Sequence, residues 1–114
     1  MPKRRTGPSP PAAMVLLTFR VGTRRRASFL RFVSWAFPFY ERPGGIRMSL
    51  FEDLEQPGTF VEIASYDTMA AFRADQERVR SNPESRRVLA EWRSLLSGPP
   101  EVRLVKRWDR RARR

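Results

Sequence analysis

Residues Ile46 to Glu52 and Thr59 to Tyr66 each alternate in polarity with a period of two, and the six residues between them contain Pro57-Gly58. A period of two places successive side chains on opposite sides of a strand, and a Pro-Gly pair favours reversal, so the segments are expected to pair as an antiparallel hairpin. A lone hairpin is marginal in water and needs further strands or a helix against one face. The flanking sequence supplies both. In Met14 to Val21, Val15, Leu17, Phe19 and Val21 share one face, with Leu16, Thr18 and Arg20 on the other. Phe29, Leu30, Phe32, Val33, Ala36 and Phe37 then recur at spacings of three and four, which predicts a helix capped at Thr23 and ending near Pro38.

After the hairpin, Asp67 is a candidate cap for a helix lined by Met69, Phe72, Gln76 and Val79. Ser81-Asn82-Pro83-Glu84 restarts the helix with a capping pattern, and Val88, Leu89, Trp92, Leu95 and Leu96 give the second piece its apolar stripe. Gly98-Pro99-Pro100 stops it, and Val102 to Trp108 reads as a last strand. The order β-α-β-β-α-β predicts an α+β, ferredoxin-like antiparallel sheet with helices on one face. Placing Glu52 opposite Thr59 sets Leu50 against Val61, Met48 against Ile63, Ser49 against Glu62 and Phe51 against Phe60. The uncovered face then carries Leu16, Thr18, Arg20, Arg47, Ser49, Phe51, Phe60, Glu62, Ala64 and Tyr66, a mixture that suits burial against a second copy. A homodimer is therefore expected, with Phe51, Phe60 and Glu62 at its interface and Arg20 or Arg47 paired with Glu62.

Composition narrows the chemistry. Among 114 residues there is no cysteine and no histidine, which excludes a disulfide scaffold, a zinc finger, an iron–sulfur site and a Cys–His nucleophile. No metal or cofactor is expected. Of the net charge of +11, residues 1–9 hold +3 and residues 106–114 hold +5, so the intervening chain is close to ordinary. Nonspecific, salt-dependent nucleic-acid binding by the tails is the corresponding weaker reading, and nucleic acid is otherwise disfavoured as a partner. No apolar run is long enough to span a bilayer or to form a secretory h-region, so a cytoplasmic protein is expected. Residues 1–13 and 109–114 read as disordered tails around a domain at 14–108, and Met14 is a candidate translation start.

The segment Gly44 to Asp53, with Glu55-Gln56-Pro57-Gly58-Thr59-Phe60-Val61-Glu62 and Tyr66 leading into Phe72 to Val79, resembles the dimeric α+β barrel superfamily. Its most specific part is G-x-x-x-x-L-F-x-D-x-x-x-P-G-x-F-V-E, from Gly45 to Glu62. Within the superfamily the likeness is to antibiotic-biosynthesis-monooxygenase-like domains, with NIPSNAP proteins as a neighbouring group. The resemblance implies a dimer and a cavity between helices and sheet, where enzymes of this kind oxidise polycyclic aromatic substrates without metal or flavin, or cleave haem. The chain departs from the pattern in having Met48 where a Trp is common, and Phe72-Arg73-Ala74-Asp75-Gln76 where a His is common, which disfavours the haem branch.

Cofactor-independent oxygenation needs an apolar cavity and polar groups that stabilise an enolate. Trp35, Tyr40, Phe72 and Trp92 are the expected cavity-lining residues, and Glu62, Tyr66 and Arg47 the expected catalytic ones. Glu62 stands out because a carboxylate is unexpected mid-strand, where burial would raise its pKa and suit it to general base work. Ser49 has no histidine to activate it. Two readings stand at this level: oxidation or binding of an aromatic small molecule, and a non-enzymatic dimerising ligand-binding or accessory module.

Overall fold

The computed structural model describes residues 10–108. The elements are β1 (Ala13–Arg20), α1 (Arg26–Glu41) entered through a 3₁₀ turn at Thr23–Arg25, β2 (Ile46–Glu52), β3 (Thr59–Tyr66), α2 (Met69–Ser81), α3 (Pro83–Ser94) and β4 (Glu101–Lys106). The four strands form one antiparallel sheet in the order β2-β3-β1-β4, so the fold is the expected ferredoxin-like one, with both helical regions on one face. The tail expectations at 1–9 and 109–114 lie outside the described residues. At the near end the sheet starts one residue before Met14: Ala13 is buried, and the Ala12 N–H donates to the Tyr66 carbonyl at 2.8 Å.

The hairpin pairs one residue out of the expected register. Glu52 stands opposite Phe60, Leu50 opposite Glu62, Met48 opposite Ala64 and Ile46 opposite Tyr66. A slip of one residue turns every side chain of a strand to the other face. Phe60, Glu62, Ala64 and Tyr66 therefore lie beneath the helices. Phe60 is 2% and Glu62 3% exposed within a single chain, which removes both from the expected interface on the uncovered face. The cause is in the loop. Asp53 Oδ1 accepts from the N–H groups of Glu55 and Gln56, and the Asp53 N–H donates to the Thr59 carbonyl at 2.8 Å, so the ladder runs one residue past Glu52.

The uncovered face is consequently made of Leu16, Thr18 and Arg20 from β1, Arg47, Ser49 and Phe51 from β2, and Thr59, Val61, Ile63 and Ser65 from β3. Phe51 is 57% exposed there. Arg20 donates to Thr59 Oγ1 at 2.7 Å, and Arg47 reaches Asp67 at 3.3 Å, so neither arginine meets Glu62.

The core lies between sheet and helices. Phe19, Phe29, Phe60 and Trp92 are packed ring against ring, with centroid separations of 5.1 to 6.2 Å. Such pairs add about 0.5–1.5 kcal/mol each beyond the area they bury. A second cluster joins Ala13, Val15, Ile46, Ala64 and Tyr66, with Phe72 set edge-on to Tyr66 at 5.3 Å.

Helix α1 continues through Pro38 to Glu41, three residues beyond its expected end. A proline inside a helix forfeits a hydrogen bond and crowds the preceding turn. Here the ring is on the exposed side while Tyr40 extends the buried stripe of Phe29, Phe32, Val33 and Ala36 by another turn. Burial of that aromatic outweighs the break. Thr23 opens the 3₁₀ turn and does not cap, and no side chain caps α1. The arginines at its start, unfavourably placed at the positive end of a helix dipole, are drawn off by partners. Arg26 is bidentate to Glu52 at 2.6 and 2.7 Å, and Arg25 donates to the Ser94 carbonyl at 2.6 Å. Thr68, one residue after the expected Asp67, caps α2 by accepting from the Ala71 N–H at 3.0 Å. Asn82 caps α3 by accepting from Ser85, ahead of Pro83 in the first turn.

Candidate active site

Side chains on the helix-facing side of β3 follow the sequence Phe60, Glu62, Ala64, Tyr66. At roughly 3.3 Å per residue, Glu62 and Tyr66 stand about 13 Å apart along the strand. Between them is Ala64, buried in the second core cluster.

Glu62 is the only buried charged side chain among the described residues. Burial raises its pKa to about 7, and the indole N–H of Trp92 draws it back toward the ordinary range. Neither Glu62 Oε1 nor Trp92 Nε1 completes a hydrogen bond with a protein group. Buried polar atoms are nearly always satisfied, and these two serve one another only loosely, the indole N–H acting on the carboxyl without full hydrogen-bond geometry. A carboxyl with a pKa near 7 supplies both a base and an acid close to neutral pH.

Tyr40, from the last turn of α1, packs against the first core cluster and shares a cleft with Asp75. Its pKa is pushed well above the usual phenol range by burial, then by the charges of Glu62, Asp75 and Glu91. Tyr66 donates its hydroxyl to Asp75 Oδ2 at 2.5 Å, and Asp75 also pairs with Arg78 at 3.3 Å. Burial, and then that bond, push the Tyr66 pKa up as well. Both phenols therefore stay protonated in the physiological range and act as hydrogen-bond donors.

Of the expected catalytic residues, Glu62 and Tyr66 both lie on the helix-facing side of β3, four residues apart, whereas Arg47 is on the opposite face of the sheet, paired with Asp67. Of the expected lining residues, Tyr40 and Trp92 pack in the first core cluster and Phe72 in the second, beside Tyr66, so all three lie between helices and sheet. Trp35 does not: it is 45% exposed on the outer side of α1, edge-on to Phe32 at 5.0 Å. Asp75 was not singled out by the sequence reading. Its signal was a carboxylate three residues after Phe72, on the inward stripe of α2, which is a costly place unless a partner awaits it. Among the described residues no cluster of three or more acidic side chains is placed to hold a metal.

Solved structures with this fold are numerous. A conserved protein from Methanosarcina mazei superposes with a TM-score of 0.72 at 12% identity, over 86% of this chain and 94% of that one. A variant of SnoaB, a cofactor-independent oxygenase from Streptomyces nogalater, superposes with a TM-score of 0.68 at 20% identity, over 89% of this chain and 97% of that one. An antibiotic biosynthesis monooxygenase gives 0.67 at 15% identity, over 85% and 99%. The chain has the antibiotic-biosynthesis-monooxygenase-like fold. This is the fold expected of the dimeric α+β barrel superfamily, and it spans nearly the whole length of each of these relatives. No family model and no curated protein matches the sequence. Among the described residues no helix is long and apolar enough to cross a membrane.

Proposed function

We propose that the protein takes up an aromatic small molecule between the helices and the sheet and oxidises it with dioxygen, without metal or organic cofactor, Glu62 acting as general base. The observation that carries this reading is the buried Glu62 carboxyl, raised to about 7 by burial, with no cation among the described residues beside it and only the Trp92 indole acting on it. The presence of a cofactor-independent oxygenase among proteins of the same fold supports it.

The chemistry balances on the residues present. In its ionised form Glu62 removes a proton from the activated carbon of a hydroxylated polyaromatic in its keto form, leaving an enolate. The enolate reduces dioxygen and forms a carbon–oxygen bond to give a hydroperoxide. Loss of the second hydrogen and cleavage of the O–O bond release water and leave a carbonyl, so that a CH₂ group and O₂ become C=O and H₂O. Tyr40, held protonated by burial, donates to the enolate oxygen in this account, while the Tyr66 hydroxyl stays committed to Asp75 and fixes the wall there, and Trp92 and Phe72 supply the apolar surroundings. The protein acts as a cytoplasmic homodimer in this account, with the uncovered sheet face, Phe51 included, turned to the second copy.

Oxygen uptake tests it. Wild-type protein consumes dioxygen with a hydroxylated polyaromatic substrate, Glu62→Gln loses at least about a hundredfold in kcat, and Tyr66→Phe retains a fraction. Silence of the wild type across a broad panel of such compounds sinks the oxygenase. One feature favours a non-enzymatic ligand-binding or accessory module as second reading: the cleft beside Tyr40 measures about 90 Å³, well under the several hundred Å³ of ordinary ligand sites. Under the enzyme reading α1 separates from α2 when the ligand enters. The module reading is supported if aromatic ligands bind with no oxygen consumed.

A further inference from the structure

That cleft opens between the end of α1 and the junction of α2 with α3, walled by Phe39, Tyr40, Arg42, Asp75, Arg78 and Ser85. Its two guanidinium groups have no part in the chemistry above. Arg42 rests on the Phe39 ring, 4.6 Å from the centroid, and meets Glu84 through one contact of 3.4 Å. Arg78 meets Asp75 through one contact of 3.3 Å. A guanidinium carries five N–H donors in a planar fork that takes a carboxylate two-handed, so a single long contact leaves most of each fork free. The two acids of the cleft are not stranded when their arginines turn to a ligand. Asp75 keeps the Tyr66 hydroxyl at 2.5 Å, and Glu84 is on the exposed first turn of α3.

Tyr40 forms a wall of this cleft and packs against the core cluster holding Phe60 and Trp92, and Asp75, another wall, holds the Tyr66 hydroxyl, so the cleft adjoins the helix-facing side of β3. The volume of about 90 Å³ equals about three waters, which is room for a carboxylate but not for the ring bearing it. The ring is accommodated only when Tyr40 turns aside.

We infer that this cleft is the mouth of the Glu62 site and that Arg42 and Arg78 select an aromatic ligand bearing a carboxylate, a specificity that rests on the aromatic-ligand reading above. The test compares 1-hydroxy-2-naphthoate with 1-naphthol, which shares its rings and hydroxyl, by calorimetric titration of the full chain. The acid binds the wild type at least about tenfold more tightly. In Arg42→Gln/Arg78→Gln protein that ratio falls to within about threefold, while the Kd for 1-naphthol is unchanged and so reports an intact fold. Arg42→Gln alone, at an exposed position, gives a partial loss and keeps the test open should the double variant not fold. Equal affinities in the wild type, or a preference that survives both substitutions, overturn the carboxylate specificity and leave the aromatic reading standing. Failure of both compounds to bind overturns the two together.

Discussion

Glu62 folds at a cost that depends on pH. Its carboxyl moves from an ordinary 4.5 to about 7 on burial, so between those values the native state holds a proton that the unfolded chain has released. Stability is then greatest below about pH 4.5, falls through the window up to about 7, and levels off above it. The loss is on the order of 3 kcal/mol. In Glu62→Gln protein this component vanishes. Urea midpoints measured from pH 5 to pH 8 fall in the wild type and stay flat, relative to it, in the variant; parallel curves contradict the assignment. Glu52 behaves in the opposite sense. Its pairing with Arg26 and with the Gly58 N–H holds its pKa down at about 2, so what it contributes is present above pH 4.5 and is lost only in acid. The Tyr66 hydroxyl bonds a charged acceptor, Asp75, and Tyr66→Phe is expected to cost about 1.5–3 kcal/mol in urea unfolding. Glu62 and Tyr66 stand out in the sequence, one as a charge in mid-strand and the other as an aromatic ending it. Their side of the sheet was not legible there, because both faces of β3 carry large apolar residues: Phe60 and Tyr66 on one, Val61 and Ile63 on the other.

For the elements, the order of strands and helices and the break at Asn82-Pro83 followed from periodicity and punctuation, since each is marked by local chemistry. The register depended on one side chain. Asp53 organises the loop by accepting two backbone N–H groups, and the pairing of Phe51 with Phe60 in the alternative register looked equally favourable. The end of α1 was misjudged for a different reason: a local rule about proline met a tertiary gain, the burial of Tyr40. Replacing Pro38 by alanine restores the helical N–H and removes the clash with the preceding turn while surrendering proline's restraint on the unfolded chain. The net gain expected is about 1–2 kcal/mol, read from the thermal or urea midpoint. Asn82→Ala removes the cap of α3 and is expected to cost about 0.5–2 kcal/mol, with circular dichroism showing helix lost at that junction. Glu41 links two elements. Its carboxylate accepts from the Met48 N–H at 2.8 Å on the outer edge of β2, which occupies one of the donors that an edge strand otherwise offers to other chains.

The whole molecule has two faces of different character. One is closed by helices and holds Glu62. The other presents Leu16, Phe51, Val61 and Ile63 amid polar neighbours, and β4 at the sheet edge is exposed along its length, with Val102 and Leu104 more than half accessible although they point to the helix side. No helix reaches over them. In the proposed dimer a second copy against the uncovered sheet face covers Leu16, Phe51, Val61 and Ile63, and sedimentation velocity is expected to show a dimer that Ile63→Lys converts to monomer without loss of helical signal. A monomeric wild type contradicts that part of the account. The reactive centre stands or falls on a single ionisation. In uniformly ¹³C-labelled protein, with Glu62→Gln for assignment, the Glu62 carboxyl carbon is followed by NMR from pH 4 to pH 9. The account predicts a midpoint at about 7. A midpoint in the ordinary range below about 5 means that water reaches the group, and the base proposed for the reaction is not there.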